Sequence, residues 1–562
     1  MPPNQKWVLL LESLENTLGS PHDKQSPVNF EQSLDYDEHE ALPWSQVELI
    51  QKWGFMDYLI PENLGGKLHG LDDLYGLTKL IARRDITTAI ALGLSFLAAL
   101  PTWLAGSKKQ KEQLAGRLRQ GEIGAFALTE EEHGSDLTAN EVTAISNEQG
   151  WVLSGEKWCI NFATLGHSVT VLCRTHEKAG LRGFSLFYFD KSNINQGFSP
   201  TPKLPTHGVR GLDISGFCLD KLLVQNDALI GKEGKGLEII YKTFQVSRTL
   251  CASLSVGGAD TALRLALSFS LKRQLYNKRA YDLPVVKQKL SELFVTTLIT
   301  DCISLVVARA STVAPEYMSL WSAVIKYFVP KTTSEIVENC AIILGARAYL
   351  RSTEWGIFQK IRRDIQIVGL FDGSSQVNLS IITGHLLAQA ELRDKSTLKK
   401  PMDMDQLFNL EKECPAFEGD QFSLFTTKED LVLSGIKQLQ SQPLNNLIHQ
   451  VVSELKMLDA HLLGLRDAKA YEPRSIEAFD LADKYCRLFA ASCCLQFWFY
   501  NQKALSQELQ NTEWLHLAVA LLLKNTAKGF HDEQIHEKMS DVLLSYFQDN
   551  KLFSVCSVRI KE

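Results

Sequence analysis

Phe126-Ala-Leu-Thr-Glu-Glu-Glu-His-Gly-Ser-Asp136 decides how the rest of the chain is read. A short apolar lead-in opens onto a turn of small and acidic residues. Gly134 permits close backbone approach or an unusual φ, and Thr129 and Ser135 set short hydroxyls beside free backbone N–H groups. Such a loop can cradle an anionic or heteroaromatic cofactor edge. By itself Gly-Ser-Asp is also ordinary turn chemistry. A lone loop histidine such as His133 is more often structural than catalytic. In Glu130-Glu131-Glu132 one carboxylate is expected to be structural and the others solvated.

Three later segments give the loop its meaning. Gly155-Glu-Lys-Trp-Cys-Ile-Asn161 follows Trp151-Val-Leu-Ser154. Arg273-Gln-Leu-Tyr276 closes a helical pattern that contains Ser247-Arg248. Arg363-Asp364 leads into Phe371-Asp-Gly-Ser-Ser-Gln376. In this order and at these separations the four segments resemble the acyl-CoA dehydrogenase family of flavoenzymes over about residues 40–395.

The resemblance implies a mainly α fold with a small β-barrel domain: a helical N-terminal domain, the barrel, then a four-helix bundle. It implies FAD between barrel and bundle, an acyl thioester substrate carried on CoA or acyl carrier protein, an electron acceptor such as electron-transfer flavoprotein, and a homodimer or homotetramer. By the same likeness Phe126, Leu128, Thr129, Gly134 and Ser135 belong to the FAD site. Cys159 stands where an aromatic residue usually flanks the flavin, and Asn161 where Ser or Thr usually bonds it. Arg273 and Tyr276 correspond to residues that reach a neighbouring subunit's FAD, a role that suits a bidentate guanidinium. Gly345 lies in a glycine-rich region where two family glycines have become alanine, and Ser374 and Gln376 match FAD contacts. Ser135, Arg248 and Gly373 fall on the substrate side.

The family usually places its catalytic glutamate where this chain has Asp372, one methylene shorter. Some members carry the base beside the arginine instead, but the residue before Arg248 is Ser247. Asp372 is therefore the candidate base, the alternative being a residue that caps or positions its loop. The implied reaction is FAD-dependent α,β-dehydrogenation to the 2-enoyl thioester. An acyl-thioester oxidase, or a catalytically impaired scaffold that only binds the thioester, remains open. Arg273-Gln-Leu-Tyr and Phe371-Asp-Gly-Ser-Ser-Gln also look like members that act on carrier-bound chains in secondary metabolism.

Bulk properties agree with a folded multidomain enzyme. The chain has 562 residues, 45% hydrophobic and 22% charged, enough for three or four domains. A net charge of −6 gives no reason to expect nucleic acid or an anionic membrane as partner. Eleven scattered cysteines without ligand spacing suit reduced thiols in a cytoplasmic protein and no metal site. The apolar run 89–105 contains Pro101 and many small residues, so it reads as a buried helix and not a membrane span.

Composition shifts place the boundaries. Residues 1–38 read as a peripheral extension, 39–121 as the helical N-terminal domain, and 122–236 as the barrel, from short β-rich runs split by Gly, Asn and Pro. Residues 237–395 regain helical period. After Lys400-Pro401, residues 400–562 read as an additional helical domain in which the sequence shows no chemistry.

Overall fold

The computed structural model describes residues 3–562 apart from 178, 353, 396–403, 440 and 525–531. The expected boundary at Lys400-Pro401 lies outside the described residues. Six helices come first: α1 (Pro3–Leu18), α2 (Phe30–Glu38), α3 (Trp44–Trp53), α4 (Leu71–Arg84), α5 (Ile86–Ala105) and α6 (Lys108–Arg119). Of the extension expected at the periphery, the described residues 3–38 are instead built in. Leu11, Leu14 and Leu18 of α1 are fully buried, and Glu15 meets Arg83 and Arg84 of α4. A heptad-like apolar stripe on a short helix is what made this docking possible.

The period then changes to that of strands: β1 (Gly124–Ala127), β2 (Thr143–Asn147), β3 (Gly150–Asn161), β4 (Ser168–Arg174), β5 (Phe184–Asp190), β6 (Phe198–Thr201), β7 (Ile214–Val224) and β8 (Leu229–Ile230). They form one eight-stranded sheet in the order β6-β7-β3-β2-β4-β5-β8, with β1 added parallel to β4. This small sheet domain has its own core around Val169, Val171, Phe187 and Phe217. The glycines of 231–236 make the turn out of the sheet, with Gly231 and Gly234 at φ +69° and +75°.

The bundle comprises α7 (Gly236–Lys272), α8 (Pro284–Val313), α9 (Met318–Leu344) and α11 (Ser375–Lys395). A short hairpin, β9 (Gln274–Leu275) with β10 (Lys278–Arg279), follows α7, and α10 (Ile357–Asp364) precedes α11. Helices α5, α7 and α8 are long and apolar enough to cross a membrane, yet 72%, 94% and 89% of their apolar windows are buried inside the protein. Their apolarity is that of a core. At Gly257, a Cβ would come within 2.4 Å of the Lys79 carbonyl, so α4 crosses α7 almost backbone to backbone.

Beyond residue 403 lie α12 (Met404–Phe408), α13 (Leu431–Gly435), α14 (Asn445–Asp467), α15 (Ile476–Asn501), α16 (Glu513–Leu522) and α17 (Glu533–Gln548). They pack on α8 and α11 and share one apolar core with the bundle and the N-terminal helices. The sheet thus has a core of its own and a second apolar cluster shared with the start of α7, and a cleft opens where it meets α5, α7 and α11.

Candidate active site

The sheet-side wall of that cleft is the turn quoted first, and a buried ion pair holds it. Lys157 on β3 is fully buried; its Nζ donates to Glu130 Oε1 at 2.8 Å and to the Leu128 carbonyl at 2.9 Å. Glu130 also accepts the N–H groups of Glu141 and Val142. Burial pushes the Glu130 carboxyl up, but Lys157 and these donors outweigh it and hold it below its ordinary range. Glu130 is therefore structural, while Glu131 and Glu132 face solvent. Trp158 N–H donates to the Thr129 carbonyl at 3.1 Å and completes the seam. Where β3 ends, Cys159 and Phe162 adopt left-handed φ of +58° and +57°. Both are sparsely populated by non-glycine residues.

The opposite wall centres on Asp372. Its φ is +54°, and Arg248 Nε on α7 donates to its carbonyl at 2.9 Å. Gly373 follows at φ +91°, where a Cβ would lie 2.9 Å from Arg248 Nη2. A larger residue there would strain that φ and would have to displace the guanidinium. The first turn of α11 is served by Ser374, whose Oγ accepts the Val377 N–H at 3.4 Å, so capping does not fall to the Asp372 carboxylate. Beneath it, Cys251 Sγ lies 3.8 Å from Oδ2. Burial pushes that thiol up to about 12, so it is protonated beside the carboxylate. Burial also lowers the Arg248 guanidinium to about 10 against the pull of the Asp372 charge, which leaves it cationic at neutral pH.

A second buried cation supports this loop from behind. Lys326 on α9 is 1% exposed, its Nζ donates to the Val368 carbonyl, and it sits 4.5 Å from the Phe371 ring centroid. Burial lowers its ammonium, while the Asp372 charge pulls it back up. Arg248 and Lys326 thus fix residues 368–373 from two sides.

Between the walls lies a cavity of about 820 Å³, a size that holds a drug-sized ligand. Phe126, Leu128, Thr129, Gly134, Ser135, Cys159, Asn161, Arg248, Asp372 and Gly373 all line it. Gly134 has no left-handed φ, and a Cβ there would meet no protein atom within 4 Å. The freedom expected of it is therefore not used by the chain. Arg273, Tyr276, Gly345, Ser374 and Gln376 are not brought to this cavity. Arg273, Tyr276, Gly345 and Gln376 face solvent, and Ser374 is half-buried at the start of α11. A smaller apolar cavity of about 70 Å³ lies on the far side of Asp372, between α4, α5 and α7.

The residues present fit a flavin: on the sheet-side wall of the cavity, Asn161 Oδ1 is buried with no hydrogen-bond partner among the described residues. Sequence reasoning missed Lys157, Cys251 and Lys326, which read as ordinary helix or strand positions. It also missed Gln245, His385, Leu424 and Phe425, which line the same cavity. The last two belong to the C-terminal domain, in which no chemistry was expected.

Comparison with known proteins agrees with this geometry. Residues 125–222 match the acyl-CoA dehydrogenase middle domain and residues 234–387 the acyl-CoA dehydrogenase C-terminal domain. The human mitochondrial short-chain specific acyl-CoA dehydrogenase is 28% identical over 357 residues, 62% of this chain and 84% of that protein. The fold of an acyl-CoA dehydrogenase complexed with FAD from Bacillus anthracis covers 97% of this chain and 95% of its own, with a TM-score of 0.73 at 18% identity. The prolyl acyl carrier protein oxidase AnaB covers 68% of this chain and 99% of its own, with a TM-score of 0.61 at 18% identity. The Bacillus anthracis match covers nearly the whole chain and so spans the additional helical domain, whereas the other two cover about two thirds of it. The chain thus carries the middle and C-terminal domains of the acyl-CoA dehydrogenases, a family of FAD-dependent oxidoreductases, with a further helical domain beyond the bundle.

Proposed function

We propose that this protein converts a fatty acyl thioester, borne on CoA or an acyl carrier protein, to its 2-enoyl thioester, with Asp372 as the base. The observation that carries the reading is the position of Asp372. It lies where the large cavity meets the small apolar one, and it is the acidic side chain common to both linings. A thioester whose α-carbon faces Asp372 can lay its acyl tail into the apolar cavity and its carrier arm along the larger one.

The carboxylate takes the α-proton, a step in which a positioned base contributes on the order of 10² to 10⁴-fold. FAD, when bound, supplies the acceptor for the hydride that leaves the β-carbon. Arg248 holds the Asp372 backbone and places its guanidinium charge beside the carboxylate. The protonated Cys251 adds a weak donor from below. The family's electron acceptor, electron-transfer flavoprotein, is the acceptor this reading adopts.

A homodimer or homotetramer belongs to the same proposal. Arg273, Tyr276 and Gly345 lie on the outside near the ends of α7 and α9, where Tyr276, Ile342 and Tyr349 are 88%, 77% and 83% exposed. Large exposed apolar side chains of this kind mark an interaction surface, and the cationic Arg273 among them suits a phosphate of FAD held by a second copy.

The test is the anaerobic visible spectrum of the purified protein with saturated acyl-CoA and acyl-carrier-protein thioesters of several lengths. Bleaching of the flavin bands by one of them is the expected result and names the carrier. Flavin that no thioester bleaches would remove the dehydrogenase reading. Rapid recolouring in air, without added acceptor, would replace electron-transfer flavoprotein by O₂.

A further inference from the structure

His69, in the turn between α3 and α4, makes contacts that the active site does not use. Its Nδ1 lies 2.9 Å from Glu62 Oε2, and its Nε2 lies 2.8 Å from the Cys414 carbonyl. A carboxylate and a carbonyl both accept, so each ring nitrogen carries a proton and the ring is an imidazolium. Burial lowers it, but the bonds to Glu62 and Cys414, with the charges of Glu62 and Glu413, outweigh that and raise it above its ordinary 6.5.

The charges around the ring suit this state. A cavity of about 370 Å³ lies beside it, remote from the Asp372 centre. Its carboxylates are Glu62 on the same turn, Asp72 and Asp73 at the start of α4, and Glu413 on the segment leading into the C-terminal domain. Lys6 lines it from α1. The other cations have partners of their own: Lys67 pairs with Asp57 at 3.1 Å, Lys412 with Asp405 at 3.5 Å, and Arg309 of α8 with Asp72 at 3.4 Å. Burial pushes Tyr58 and Cys414 up to about 12, so both are neutral. Burial and Asp72 raise Asp73 to about 7 against the pull of His69, which makes Asp73 a second group that titrates here near neutrality.

The bond to Cys414 falls between two fixed stretches of chain. Upstream, Arg309 holds the carbonyls of Gln406, Leu407, Asn409 and Lys412. Downstream, Phe417 N–H donates to the His69 carbonyl at 2.7 Å, and the Phe417 and Phe422 ring centroids lie 6.1 Å apart. Gln245 then donates to the Ser423 carbonyl at 2.7 Å, and Leu424 and Phe425 line the large cavity. When His69 loses one proton, the charged acceptor keeps the other at Nδ1, and the Cys414 carbonyl is released. A group raised in the folded state gives its full stability below its unfolded value, near 6.5, and loses it as pH rises through the folded value.

We propose that His69 is a proton-operated latch between the N-terminal turn and the segment entering the C-terminal domain, closed while both ring nitrogens carry protons, so that pH sets how firmly Leu424 and Phe425 are held at the large cavity. The inference is independent of the acyl-thioester reading, since no step in it involves a substrate.

Hydrogen exchange of the flavin-loaded full chain at pH 5.5, 7 and 8.5, corrected for the intrinsic rate, tests it. Protection of peptides covering 412–420 and 421–428 is expected to fall about 3- to 10-fold from the lowest pH to the highest, the loss of one hydrogen bond at a ring 30% exposed. Protection of α8 should not change. The fall should vanish in His69→Gln, persist in Asp73→Asn, and move to lower pH in Glu62→Gln, which alters an exposed residue and removes a charge that raises the imidazole.

A wild type without the fall, or the same fall in His69→Gln, would overturn the latch. Its disappearance in Asp73→Asn would give the titration to Asp73 instead, and an unmoved midpoint in Glu62→Gln would break the pairing on which the latch depends. A fall confined to 412–420 would overturn its reach to the large cavity.

Discussion

Asp372 combines a functional carboxylate with a left-handed backbone, φ +54°. Such a conformation costs on the order of 1–3 kcal/mol in a non-glycine residue and persists only where its surroundings impose it. Here the Arg248 Nε bond to its carbonyl and the Lys326 contacts with Val368 and Phe371 impose it. The shorter arm relative to glutamate is thereby offset by a loop with little freedom to retract. Asp372→Asn preserves shape and removes the base, so the reductive half-reaction should slow at least about 10²-fold while flavin stays bound. Anaerobic stopped-flow measurement decides it, and a wild-type rate would dismiss Asp372 from the chemistry. This residue was legible because the Phe-Asp-Gly-Ser-Ser-Gln run sits in a recognisable order of segments. Gln245 and His385 were not, since a lone amide or imidazole on a helix acquires meaning only from what packs across from it.

At the scale of elements, the turn after β1 owes its shape to β3 and not to its own sequence. Its glycine-serine-aspartate signature suggested a flexible cradle, yet Gly134 has no left-handed φ; the fixed points are Glu130 and Lys157. Removing one member of a buried pair costs roughly 3–5 kcal/mol because the other charge is left uncompensated. Lys157→Met should therefore cut global stability by about that much and free the segment 128–142, read as faster proteolysis within it and lower flavin retention. Unchanged denaturant midpoint and flavin content in Lys157→Met would refute the seam. The helices and short strands themselves were legible from the switch in apolar period from 3.6 to 2. The role of residues 418–430 was not, because an irregular polar stretch shows neither period nor motif, and its contacts with α7 and α11 arise only from the fold.

Across the whole molecule, the last described segment returns to the first helices through a buried cluster of charge. Arg83 bonds Glu15, Asp260 and Glu562, and Arg84 bonds Glu15 and the Lys561 carbonyl. Phe553 N–H donates to Asp260, and Ser554 and Val555 reach Asp301, which also holds Lys79 and Tyr75. N-terminal helices, bundle and C-terminal domain are thus joined by polar contacts as well as by a common core, which is why residues 3–38 could not be peripheral. For Glu562, burial pushes the carboxyl up, but His22, Arg264 and Arg83 outweigh it and hold it well below its ordinary range. Asp260 is likewise held low by Arg264 and Arg83 against its burial. Groups whose folded values are depressed add stability above the unfolded carboxylate range, near pH 4, and lose it as pH falls through the folded values. The wild type should therefore have its full stability from this cluster at pH 6–7 and lose it progressively below about pH 4. Glu562→Gln should already be less stable at pH 7, and the difference from wild type should shrink as pH falls, since protonation removes from the wild type the charge that the variant lacks. Urea midpoints at pH 7, 5 and 3.5 measure this directly; a difference that stays constant or widens on acidification would show that Glu562 acts through packing and not through its charge.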